Sequence, residues 1–135
     1  MKATTNFQPN VEVVRDSEVL ARRSAEIFVA EATKAIGARG VFYVAVSGGH
    51  TPEHFFELLA ETPQANSLPW DKIHLFWVDE RIVDADSPWS NYKLAADTFL
   101  TRVAIPPENS DATVTSSLDQ RAASFFILNL NPLGA

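Results

Sequence analysis

Two short stretches place chemically capable residues where the polypeptide has to turn. The first, Ser47-Gly48-Gly49-His50-Thr51-Pro52, sets paired glycines among two hydroxyls and an imidazole, ahead of a proline suited to open a helix. Glycines let a backbone approach a ligand closely. The unpaired N–H groups of a helix start, with the Ser47 and Thr51 hydroxyls, make a cradle suited to phosphate. His50 is placed either to reach such a ligand or to face solvent. The same residues equally fit a tight strand-to-helix turn that needs small side chains. Neither the G-x-G-x-x-G dinucleotide fingerprint nor the P-loop Gly-Lys-Ser/Thr occurs. In the second stretch, Asp79-Glu80-Arg81, Asp79 can act as a base or orient a substrate hydroxyl, and Arg81 can pair bidentately with a phosphate or carboxylate. A solvated charged loop is the plainer alternative for these three residues.

Other polar and aromatic residues read more simply. His54, in the first turn of an expected helix, belongs on the surface, and His74, inside an expected strand, is a packing residue. No histidine pair has H-E-x-x-H spacing and the chain has no cysteine, so neither a metal nor a thiolate site is expected, and no cofactor is implied. Ser90-Asn91 reads as a helix cap, Arg22-Arg23 as a solvated helix face, and Trp70, Trp77 and Trp89 as core or rim aromatics.

The elements that would hold these stretches follow from periodicity. Residues 11–14 form a β-branched run of strand character, and Asp16 is placed to cap a helix over 17–36, stopped by Gly37 and Gly40. Residues 41–46, Val-Phe-Tyr-Val-Ala-Val, make a near-continuous apolar run, the pattern of a strand buried on both faces as in parallel sheets. Thr51 and Pro52 suit the N-cap and first position of a helix running from Pro52 to about Ala60. A loop over 61–70 holds Pro63 and Pro69, a second apolar strand covers 73–78, and a helix capped by Ser90 runs from Asn91 to about Leu100. Val114 marks a short third strand, and Ser117 with Gln120 has capping-box spacing for a last helix. Residues 125–128 fit that helix or a strand equally. The alternation predicts a single α/β domain over 1–135, an open, mostly parallel, doubly wound Rossmann-like sheet with flanking helices. In such sheets ligands sit at the carboxyl ends of strands, where both unusual stretches fall.

Composition narrows the partners. With 17 acidic against 11 basic residues and a formal net charge of −6, the chain suits neither sequence-independent nucleic-acid binding nor an anionic membrane surface. No apolar run approaches the roughly 20 residues that span a bilayer, so a soluble, cytoplasmic protein is the expectation.

In order and spacing, Ser47-Gly48-Gly49-His50-Thr51-Pro52, Trp77-Val78-Asp79-Glu80-Arg81-Ile82-Val83 and Ser90-Asn91-Tyr92 resemble the N-terminal half of 6-phosphogluconolactonases, over residues 11–111. Glucosamine-6-phosphate deaminases, which are aldose-ketose isomerases, share a related glycine loop and Asp-Glu pair. Arg81 and the valine two residues later favour the lactonase branch, where deaminases usually carry Tyr. The resemblance implies hydrolysis of 6-phosphogluconolactone to 6-phosphogluconate in the pentose phosphate pathway, without a required metal. It implies that Ser47, Gly48, Gly49, His50, Thr51 and Arg81 contact the sugar phosphate and that Asp79 lies beside the ring. Family members are nearly twice as long, and their second half carries a Gly-x-Gly-x-Asp-Gly-His-Thr-Ala-Ser type motif whose His activates water. These 135 residues contain no such motif. Three expectations follow: a truncated, weakly active lactonase, a non-catalytic sugar-phosphate-binding module, or a half-domain that self-associates into a homo-oligomer through an exposed sheet edge.

Overall fold

The computed structural model describes residues 11–48, 50–110 and 126–128, with backbone alone at His50, Thr51 and Phe126–Leu128. Helix α1 spans Ser17–Arg39 and begins where expected, with the Asp16 carboxylate accepting from the Val19 N–H at 2.9 Å. That hydrogen bond, aided by Arg15, holds the Asp16 carboxyl below the usual carboxylate range. At the other end only Gly40 stops the helix. It adopts φ 78°, the left-handed conformation of a C-cap, and donates its N–H to the Ile36 carbonyl. Gly37, expected to share that role, stays helical, since a glycine in the last turns costs only about 0.5–1 kcal/mol against Ala.

Strand β1 (Phe42–Val46) follows, then α2 (His50–Glu61), a single turn α3 (Pro63–Asn66), a 3-10 turn at Trp70–Lys72 and β2 (Ile73–Trp77). Helix α2 therefore starts two residues before the expected Pro52. Pro52 still falls in the first turn, where its missing N–H breaks no helical bond. The expected loop over 61–70 is shaped by α3, and Trp70 anchors it by donating Nε1–H to the Ala65 carbonyl at 3.1 Å. Helix α4 (Asn91–Ala95) continues into a π-turn at Ala96–Leu100, and β3 covers Phe126–Leu128. The 125–128 segment is thus strand at 126–128. Val114 and the helix expected from Ser117 lie outside the described residues.

The three strands are parallel in the order β2-β1-β3, with Val46 opposite Trp77 and Leu128. This bears out the parallel α/β reading. One sheet face, built from Phe42, Val44, Val46, Ile73, Leu75 and Trp77, packs against α1, α2 and the helix from Asn91. Phe28 of α1 is central to that layer, meeting Phe42, Phe55 and Trp70 at ring separations of 5.6, 6.0 and 5.8 Å. On the opposite face Ala45 and Phe76 are buried while Tyr43 and His74, tilted together at 5.2 Å, are half-buried. Both strand faces are covered to that degree, in keeping with the apolar runs.

Residues 11–14 are not a strand. Val11 and Val13 are exposed, and Glu12 pairs with Arg23 of α1 at 2.8 Å, which lays the segment along the helix and not at a sheet edge. The Arg22-Arg23 face is solvated as expected, with Arg22 paired to Glu18 on the preceding turn.

Candidate functional site

Parallel pairing brings the two chemically rich stretches together. β1 and β2 end level, and the pairing runs one step further, because the Val78 N–H donates to the Val46 carbonyl at 2.9 Å. Ser47-Gly48 and Asp79-Glu80 therefore leave neighbouring strands side by side, at the carboxyl end of the sheet.

Glu80 organises the second loop. Its two carboxylate oxygens accept from the backbone N–H groups of Arg81 (2.8 Å), Asn91 (2.8 Å) and Tyr92 (2.9 Å) and from the Ser90 hydroxyl (3.1 Å). Burial pushes its pKa up, but the hydrogen bonds from Tyr92, Arg81, Asn91 and Ser90 outweigh that and hold it below the usual range. The carboxylate thus serves two N–H groups that a helix start leaves unpaired, and Ser90 serves a third by accepting from the Lys93 N–H at 3.1 Å. By gripping residues ten to twelve positions ahead, Glu80 closes the loop over 81–89 at its base.

Asn91 joins the two loops. Its Nδ2 donates to the Asp79 carbonyl at 3.0 Å and lies 3.5 Å from Asp79 Oδ1. The rest of the carboxamide occupies the space beside Gly48, where a Cβ would stand 2.1 Å from Asn91 Oδ1 and 2.2 Å from its Cγ. Gly48 is glycine because that space is filled. The close approach expected of the glycine loop is realised here toward a protein side chain.

Among the residues picked out by sequence, Ser47 and Gly48 lie beside the Asp79 loop, and Asp79 and Arg81 are exposed on it. The Arg81 guanidinium is exposed and has no ion-pair partner among the described residues. Gly49 lies outside the described residues, and the backbone of His50 and Thr51 forms the first turn of α2. A depression of about 500 Å³ lined by Ile82, Val83, Asp84 and Ser87 contains none of these residues, so it is a feature of the outer loop. His54 is a surface residue paired with Glu57 at 3.3 Å, and Trp70 and Trp77 belong to the core, whereas Trp89 is exposed. Sequence reasoning missed Glu80 as the clasp, and Asn91 beyond a helix-cap role. The available signal was an acidic residue and a buried-type amide flanking one loop, a pattern with no fixed spacing.

The fold and site define a parallel α/β protein with two polar loops at the carboxyl ends of adjacent strands, one rich in glycine and hydroxyls and one carrying two carboxylates and an exposed guanidinium. Residues 15–125 match the family described as glucosamine-6-phosphate isomerases/6-phosphogluconolactonase, and the chain belongs to that family. It is 45% identical to the 6-phosphogluconolactonase of Nostoc sp. over 109 residues, covering 81% of this chain and 44% of that one. Identity to the chloroplastic 6-phosphogluconolactonase 3 of Arabidopsis thaliana is 39% over 126 residues, covering 90% of this chain and 38% of that one. The crystal structure of 6-phosphogluconolactonase from Thermotoga maritima superposes with a TM-score of 0.59 at 31% identity, over 66% of this chain and 39% of that one. A monomeric glucosamine-6-phosphate deaminase shares the fold, with a TM-score of 0.61 at 20% identity over 88% of this chain and 42% of that one. The chain spans less than half the length of the curated relatives it matches.

Proposed function

We propose that this chain carries the phosphate-side half of a 6-phosphogluconolactonase site and that the reaction served is hydrolysis of 6-phosphogluconolactone to 6-phosphogluconate. The observation that carries this reading is the juxtaposition of the Ser47-Gly48 loop with the Asp79-Arg81 loop, bridged by Asn91. The names of the relatives support the substrate. Arg81 and the glycine loop, from Ser47 through Gly48, Gly49 and His50 to Thr51, hold the phosphate. Asp79 orients the lactone ring. In the reaction, water adds to the lactone carbonyl carbon, the ring C–O bond breaks, and the departing ring oxygen takes a proton. A positioned His base contributes typically about 10²–10⁴-fold to such a step, and the family's water-activating His motif is absent from these 135 residues. These 135 residues accelerate hydrolysis only weakly, and the residual rate depends on Asp79.

No helix among the described residues is long and apolar enough to cross a membrane. We keep the cytoplasm as the proposed location. Some plant relatives are named chloroplastic, and cell fractionation distinguishes the two compartments.

The reaction is tested by following freshly generated lactone with the chain and with its Asp79→Asn variant. A small acceleration that the substitution abolishes is expected. Turnover typical of an efficient enzyme contradicts the missing base, and an unchanged residual rate in the variant clears Asp79 of any role.

A further inference from the structure

The start of α4 has more polar machinery than a helix start requires. Glu80 accepts from the N–H groups of Asn91 and Tyr92, and Ser90 accepts from that of Lys93. The cap is complete without the Asn91 side chain. That side chain is nonetheless buried, 5% exposed in all, and a buried carboxamide costs stability unless its groups are paired. Its donor is spent on Asp79, through the main-chain carbonyl at 3.0 Å, and its bulk fills the position a Cβ at 48 would need. One amide therefore touches both loops, each two residues beyond the end of its strand.

We propose that Asn91 is a positioning residue that ties Asp79 to the glycine loop, and so fixes the carboxylate in register with the residues that take the phosphate. The ligand in this inference rests on the lactonase reading, whereas the tie between the loops does not. Hydrogen bonding to the carbonyl fixes the backbone from which the Asp79 side chain springs, and the contact with Gly48 fixes the amide. A shift of the glycine loop on binding an anion would be passed to Asp79 through one rigid group.

The test uses Asn91→Asp, which preserves the shape packed on Gly48 and replaces the donor with an acceptor. The charged groups facing this position are the carboxylates of Asp79 and Glu80, with Arg81 exposed on the same loop. At pH 7 the introduced carboxylate cannot donate to the Asp79 carbonyl and repels the Asp79 side chain. At about pH 4.5, burial and its acidic neighbours favour the protonated form, and the carboxyl can donate. Two measurements are made on the variant and the unsubstituted chain at each pH: calorimetric titration with 6-phosphogluconate, and amide hydrogen exchange of the ligand-free protein at residues 48 and 78–82. At pH 7 the variant is expected to bind about ten-fold more weakly, the effect of losing one buried hydrogen bond, and to exchange faster at those amides. Both differences should close on acidification. Asn91→Ala, which has no group to protonate, should show both defects at either pH.

Equal affinity and exchange at pH 7, or a defect in Asn91→Asp that persists unchanged in acid, overturns the inference. Should the unsubstituted chain ignore 6-phosphogluconate while exchange follows the expected pattern, the lactonase reading falls and the tie between the loops stands.

Discussion

Replacing Gly48 with Ala is the sharpest single perturbation this structure offers. The added methyl would stand 2.1 Å from Asn91 Oδ1, 2.2 Å from Cγ and 2.6 Å from Cβ. Rotating the Asn91 side chain relieves the first two contacts and leaves the third, because Cβ is fixed to a helix start that Glu80 grips through two N–H groups. Rotation also removes the donor from the Asp79 carbonyl. Overpacking a tight site costs about 1–3 kcal/mol. Leaving a buried polar group unpaired adds about 1–3 kcal/mol. A loss of about 2–6 kcal/mol is a large part of the ~5–15 kcal/mol that holds a typical domain together. For a chain of this size it lowers Tm by roughly 6 °C or more. Thermal and urea unfolding followed by tryptophan emission measure the loss, with Trp70 and Trp77 as buried reporters. Gly48→Ala combined with Asn91→Gly, which removes all three contacting atoms, should be more stable than the sum of the single changes predicts. A Gly48→Ala chain that melts with the unsubstituted protein, or strict additivity in the pair, refutes the steric argument.

Three further outcomes are expected. Arg81→Ala should weaken 6-phosphogluconate binding by about 1.5–3 kcal/mol in calorimetry, the worth of a charge-assisted hydrogen bond, with little change in Tm because the guanidinium is exposed. Glu80→Gln should destabilise the chain at neutral pH; since the folded-state pKa lies below the ordinary 4.5, the carboxylate's contribution is present above that value and lost as pH falls through the folded one, so unfolding curves of variant and parent should converge in acid. The sheet β2-β1-β3 has two edges among the described residues, and sedimentation should show concentration-dependent association, whereas a compact monomer at all concentrations contradicts self-association.

The legible parts of this fold were those governed by local rules. Asp16 and Ser90 cap helices through their own side chains, and both are evident from sequence. The apolar runs at 41–46 and 73–78 announced strands covered on both faces, and their parallel pairing follows from an intervening helix. Where sequence misled, a competing contact decided the outcome. Residues 11–14 have strand character, yet Glu12 pairs with Arg23 and, among the described residues, the segment pairs with none of the strands. Within the candidate site, residue type singled out Ser47, Gly48, Asp79 and Arg81, and parallel pairing places their two stretches side by side. The roles of Glu80 and Asn91 were not, because each depends on what a loop of about ten residues brings back to the same place. A carboxylate after an Asp and an amide after a Ser become a clasp and a tie only once α4 starts against the end of β2.

Whether the two loops form a sugar-phosphate site is tested most directly by paired calorimetric titrations of the chain with 6-phosphogluconate and with gluconate. The two ligands differ only in the phosphate that Arg81 and the glycine loop would hold. The account predicts binding of 6-phosphogluconate and no measurable heat of binding with gluconate. Equal affinity for the two, or binding of neither, contradicts it.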